Sequence, residues 1–131
     1  MWRNRIARGL LIGVGLVNLA PGVGVLSSDR LEALYGVPVA DADLELLLRH
    51  RAVLLAAVGA GLVAGAVTPT LRTPAVLVGG ASMGSYVALA AAVGGTNEQL
   101  TRVAWVDVAA LAALGVAAGL GRTRRPVSPV A

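Results

Sequence analysis

The stretch from Leu46 to Val67, LLLRHRAVLLAAVGAGLVAGAV, constrains this chain more than any other. It sets Arg49, His50 and Arg51 near one end and then carries neither a charge nor a strongly polar group from Ala52 to Val67. About 20 consecutive apolar residues, rising 1.5 Å each in a helix, match the ~30 Å hydrocarbon thickness of a bilayer. The segment is expected to be a membrane-spanning helix entered through a charged collar.

Three further segments repeat the pattern, and the whole chain is expected to be one all-α domain over residues 1–131. It reads as an integral membrane bundle of four transmembrane helices, with spans at about 5–26, 46–67, 74–94 and 100–120. Composition agrees: 56% of the 131 residues are apolar and 14% charged, against roughly 25% charged in soluble domains. A soluble chain this short would lack polar surface. Cysteine is absent, so no disulfide framework, thiolate chemistry or Cys-based metal site is expected. All basic residues are Arg, and Lys and Phe are both missing, a compositional bias in which no function is read.

The first segment has a basic front, Arg3, Arg5 and Arg8, and a short apolar stretch, which also describes a signal peptide. Cleavage after Ala20 would leave Pro21 first in the mature chain, and three apolar segments follow, so an uncleaved span is the better reading. Pro21 and Gly22 should kink or end it. The one substantial hydrophilic stretch, 27–45, holds SDRLEALYG, with a cap at Ser28, apolar Leu31, Leu34 and Tyr35 at helical spacing, and Gly36 at the stop. A short amphipathic helix in the first outer loop is expected there. Asp43 is the expected N-cap of the second span. The third is expected to open at Thr73-Pro74, with Pro in the first turn, and the fourth near Thr96-Asn97.

Orientation follows from arginine placement. With the N-terminus inside, Arg3, Arg5, Arg8, Arg72, Arg122, Arg124 and Arg125 fall on the cytoplasmic side, and Arg30, Arg49, Arg51 and Arg102 outside. That excess favours both termini in the cytoplasm. The basic clusters flank apolar segments and lack interleaved aromatics, which argues against a nucleic-acid partner. Pairs of small residues, Gly9/Gly13, Gly61/Gly65, Gly80/Gly84 and Gly115/Gly119, occur in every span. They suit close helix approach and leave self-association or docking to a membrane complex open. Trp2, Tyr35 and Trp105 are expected as interface anchors.

Polar side chains inside a span are costly and need a reason. Asp107 lies ~15 Å along the fourth helix from Asn97, and Arg49 and Arg51 ~9–12 Å along the second from Asp43. Asn18 and Tyr86 fall at comparable depth in the other two spans. Asn18, Arg49, His50, Arg51, Tyr86 and Asp107 therefore form an expected polar layer in the outer leaflet. Glu45 stands four residues before Arg49, the favourable order for a pair within one helix, which leaves Arg51 or His50 as the expected partner of Asp107. The layer has three readings: a structural salt bridge, an outward-opening site for a small amphiphile, lipid head group or quinone-like ring, or a proton relay through Asp107 and His50. No catalytic residue set and no metal site is expected, since His50 is the lone histidine.

The order of LVNLAPG at 16–22, LYGV at 34–37, LRHRA at 48–52 and VDV at 106–108 resembles the DoxX-like group of small four-helix bacterial membrane proteins. The resemblance implies a bacterial inner-membrane location. For some members it also implies a role as the membrane subunit of quinone-linked sulfur-oxidation or oxidative-stress complexes. Without cysteine, a thiol-based version of that chemistry has no residue to run on. The expected function is a non-catalytic accessory subunit or small-amphiphile binder without a cofactor. The alternative is the membrane subunit of a quinone-linked oxidoreductase, with Arg51 and Asp107 at the ring.

Overall fold

A computed structural model describes residues 1–122, all of whose regular elements are helical. Arg124 and Arg125, two of the cytoplasmic charges expected from sequence, lie outside the described residues. Helix α1 spans Trp2–Leu19 and continues as a 3-10 helix over Ala20–Leu26. Short helix α2 (Ser28–Tyr35) is followed by α3 (Ala42–Val67), α4 (Pro69–Val93) and α5 (Glu98–Gly121). Four of these stretches, Trp2–Leu26, α3, α4 and α5, are long and apolar enough to cross a membrane.

The long helices form a ring in the order α1, α3, α4, α5, each packed on its two neighbours. Ala7, Leu11 and Val14 of α1 meet Leu62 and Ala66 of α3, Met83 of α4, and Ala110, Leu114 and Ala117 of α5. This apolar centre is thin. Outside it, Leu46, Leu77, Leu89, Val93 and Trp105 are each more than 60% exposed. Apolar residues so widely exposed would be costly in water, and they suit a surface that faces hydrocarbon.

Glycines bring the backbones of α1 and α3 together at Gly15 and Gly59. A Cβ on Gly59 would stand 2.5 Å from the Gly15 carbonyl oxygen and 2.9 Å from the Leu19 nitrogen. The small-residue pairs expected from sequence are mostly elsewhere: a Cβ on Gly9, Gly13, Gly61, Gly80, Gly84, Gly115 or Gly119 would meet nothing within 4 Å. Only Gly65 of those pairs sits tightly, against Ala75 and the backbone of Leu71 and Arg72.

Helix boundaries differ from the sequence expectation in three places. Ser27, not Ser28, caps α2, its Oγ accepting from the Arg30 amide at 3.3 Å. Ser28 instead donates to Glu45 Oε1 at 3.1 Å and ties α2 to α3. Asp41, not Asp43, caps α3, accepting from the Leu44 amide at 2.8 Å. Helix α4 opens at Pro69, with Pro74 inside it and only Thr68 between it and α3. Pro69 takes the first helical position, where its missing N–H is harmless. The carbonyls freed at the end of α3 find Arg72, whose Nε donates to Gly65 O at 3.3 Å and Nη2 to Ala66 O at 3.4 Å. With those carbonyls satisfied, the chain reverses at one residue.

Arg72 Nη1 also donates to Asn4 Oδ1 at 3.0 Å, and Arg3 reaches the Gly119 carbonyl at 3.5 Å. The N-terminus, the α3–α4 reversal and the last turn of α5 thus share one end of the bundle. At the opposite end α2 packs on the 3-10 helix, α3 and α5. Leu31 and Tyr35 are its buried side chains, and Gly36, at φ 62°, stops it in the left-handed conformation that glycine tolerates. Asn97 fastens this end: its Oδ1 caps α5 at the Leu100 amide (2.8 Å) while its Nδ2 donates to the Tyr35 and Gly36 carbonyls at 2.9 and 3.1 Å.

Candidate functional site

At the α2 end the ring does not close. A cavity of about 290 Å³ lies between α1, α2, α3 and α5. Val17, Leu34, Leu55, Val103 and Val106 give it apolar walls, and Pro21, from the 3-10 helix, narrows it. The polar groups that reach it are Asn18 of α1, Tyr35 of α2, Arg51 of α3, and Gln99, Arg102 and Asp107 of α5.

Arg51 is held from two sides. Its guanidinium carbon lies 4.7 Å from the centre of the Tyr86 ring and 5.5 Å from that of Tyr35, within range of cation–π attraction. Its Nε donates to the Tyr35 hydroxyl at 3.4 Å. Tyr86 is fixed in turn, its hydroxyl donating to the Leu100 carbonyl at 3.1 Å and tying α4 to α5. The Arg51 terminal nitrogens donate to no protein group among the described residues, so the cation is positioned by its neighbours without being satisfied by them.

Asp107 lines the same cavity from α5. The ion pairs among the described residues are Glu45–Arg49 at 2.6 Å and Glu98–Arg102 at 3.0 Å. The bridge expected between Asp107 and Arg51 or His50 is therefore not formed, because two tyrosines hold the Arg51 guanidinium. Cation and anion face one chamber from separate walls. Asn18, 4% exposed, gives its Nδ2 to the Val14 carbonyl (3.0 Å) and Met83 Sδ (3.7 Å), which leaves its Oδ1 as a free acceptor among the described residues.

Of the six residues expected to form a polar layer, the structure brings Asn18, Arg51 and Asp107 to the cavity and sets Tyr86 against Arg51. Arg49 and His50 stand apart. Successive helical residues step by ~100°, so with Arg51 turned inward His50 is exposed, and Arg49 pairs with Glu45 on another face. The Arg49 Nε is buried without a hydrogen-bond partner, and no account of that follows from its surroundings.

Tyr35, Gln99 and Arg102 are the cavity residues that sequence reasoning missed. Tyr35, expected as an interface anchor, is 2% exposed and supports Arg51. Its place on one helical face with Leu31 was the available signal, since that face turns inward. Gln99 and Arg102 belong to the first turns of α5, where sequence alone gives no reason to separate cavity from solvent. Among the described residues no three acidic or histidine side chains gather as a metal site would require.

No family model matches this chain, and no curated protein and no solved structure matches it significantly.

Proposed function

We propose that the chain is a multi-pass membrane protein of the bacterial inner membrane that binds a small amphiphile in the cavity lined by Asn18, Arg51 and Asp107. Both termini lie in the cytoplasm and the cavity lies in the outer leaflet. The observation that carries this reading is the presence, in one chamber with apolar walls, of Arg51 and Asp107, neither of which has an ion-pair partner among the described residues. Charged groups at membrane depth are costly unless satisfied, and a protein that needed only a bridge between helices would join Arg51 to Asp107 directly. A ligand with a polar head and an apolar body satisfies both kinds of wall.

The gathering of Arg3, Arg5, Arg8 and Arg72 at the end opposite α2 supports the cytoplasmic assignment of the termini. The DoxX-like sequence resemblance supports the bacterial inner membrane. The binding role is non-catalytic and needs no cofactor.

Native mass spectrometry of the protein extracted gently from its own membrane tests the reading. A reproducible small adduct is expected on the wild type, and Asp107→Asn and Arg51→Gln should each lose it. Wild-type protein free of any adduct beyond bulk lipid would sink the binding role. An adduct identified as a quinone, together with a soluble oxidoreductase that co-purifies, would replace it with the redox-subunit reading.

A further inference from the structure

The cavity is not isolated. Two of its apolar residues, Val17 and Val106, also line a second depression of about 320 Å³ that runs down the seam between α1 and α5. Gly9 and Gly13 continue its α1 wall and Ala109 and Ala113 its α5 wall. On each helix these residues recur every three or four positions, so they form one continuous face. From Val17 to Gly9 the groove extends ~12 Å along α1 at the helical rise. Its walls are small and apolar, and a Cβ on Gly9 or Gly13 would meet nothing within 4 Å. It meets, at its upper end, a chamber lined by Arg51, Arg102 and Asp107; Arg102 is paired with Glu98, which leaves the Arg51 cation and the Asp107 anion without ion-pair partners among the described residues.

We infer that the amphiphile is zwitterionic, with an anionic phosphate or carboxylate at Arg51, an ammonium at Asp107, and its alkyl chain in the α1–α5 groove. This rests on the reading of the cavity as an amphiphile site. Charge complementarity selects the head group. An anionic head would satisfy Arg51 but face the Asp107 carboxylate, and a cationic head would reverse the conflict. In a chamber with apolar walls such repulsion is weakly screened, so a dipolar head is favoured over either. The free Arg51 terminal nitrogens donate to the anionic group, and the Asn18 Oδ1 offers the ammonium a second acceptor. At about 290 Å³ the chamber stands at the small end of ligand sites, which run to roughly 300–1,000 Å³, too small for a head group together with a long alkyl chain. The rest of such a chain extends beyond the chamber, and the groove is the neighbouring apolar surface, sharing Val17 and Val106 with it.

The test uses purified full-length protein in a non-ionic detergent and three single-chain probes of equal chain length: a lysophosphatidylethanolamine, a lysophosphatidylglycerol and an alkyltrimethylammonium. Binding is read by native mass spectrometry titration. The zwitterion should bind wild type at least about tenfold more tightly than either charged probe. Asp107→Asn, nearly isosteric, should bring lysophosphatidylglycerol to within about threefold of the zwitterion by removing the repulsion. Gly13→Leu, whose side chain enters open space, should weaken all three probes by about tenfold without changing their order. Circular dichroism confirms that both variants fold.

Equal binding of the zwitterionic and anionic probes, or an unchanged ratio in Asp107→Asn, overturns the zwitterion while the amphiphile site stands. Undiminished binding to Gly13→Leu overturns the groove as the seat of the chain. Binding of no probe to the wild type removes the amphiphile site itself.

Discussion

Replacing Gly59 by Ala probes the glycine crossing of α1 and α3. The added methyl would stand 2.5 Å from the Gly15 carbonyl oxygen and 2.9 Å from both the nitrogen and the Cγ of Leu19. The oxygen and nitrogen are backbone atoms and cannot rotate away. Restoring ordinary contact at 3.4 Å requires α1 and α3 to part by 3.4 − 2.5, or about 0.9 Å. A gap near 1 Å forfeits a quarter to a half of the dispersion energy at each contact it opens, and overpacking of this kind costs roughly 1–3 kcal/mol. Gly61→Ala is the control. It lies two residues along the same helix, gains the same helix propensity, and meets nothing within 4 Å. Reversible unfolding in mixed micelles, titrated with a denaturing detergent, should show Gly59→Ala less stable than Gly61→Ala by about 1–3 kcal/mol. Gly15→Ala, whose methyl would meet Gly59 O at 2.8 Å, should behave alike, and the double variant should lose less than the sum because the helices have already parted. Equal stability of the Gly59 and Gly61 variants would refute the crossing.

Two further perturbations address the loop end. Asn97→Asp keeps the acceptor that caps α5 but loses the donor to the Tyr35 and Gly36 carbonyls; hydrogen exchange should therefore quicken in α2 and stay unchanged at the start of α5, whereas Asn97→Ala should quicken both and cost about 1–3 kcal/mol. Tyr86→Phe loses the hydrogen bond to Leu100 O but keeps the ring beneath Arg51, so unfolding titrations should record a loss of about 1 kcal/mol with amphiphile affinity intact. Tyr86→Leu removes the ring as well, and its affinity should fall by about threefold or more in the same mass-spectrometric titration.

The helical content was legible because a charge-free run of about 20 residues admits few alternatives. Capping was legible to within one or two residues: the chemistry of Ser, Asp and Asn was right, but Ser27 beat Ser28 and Asp41 beat Asp43, choices decided by where the loop leaves its neighbour. The α3–α4 reversal was not legible, because it depends on Arg72 reaching back to carbonyls seven and six residues earlier. Glycine spacing misled in a related way. Sequence flags every pair four apart, whereas the crossing uses Gly15 with Gly59, one residue from each of two helices, a match that no spacing within one helix can express.

The same limit explains the site. Depth along each helix can be counted, so Asn18, Arg51, Tyr86 and Asp107 were placed at comparable height, but the azimuth of each helix comes only from packing. Once the Gly15–Gly59 crossing fixes how α1 and α3 face each other, Arg51 is turned inward and His50 outward, and that single rotation decides which collar residues a ligand could meet. The place of Tyr35 is set separately, since α2 buries the face that carries Leu31 and Tyr35, and the Tyr35 hydroxyl accepts from Arg51 Nε. One tyrosine from α2 and one from α4 hold the Arg51 guanidinium, while Asp107 reaches the same cavity from α5 and forms no ion pair among the described residues. The separation of the charges is therefore a product of the packing around Arg51, and replacing both Tyr35 and Tyr86 by Leu should free the guanidinium to approach Asp107 and close the cavity to the amphiphile probes.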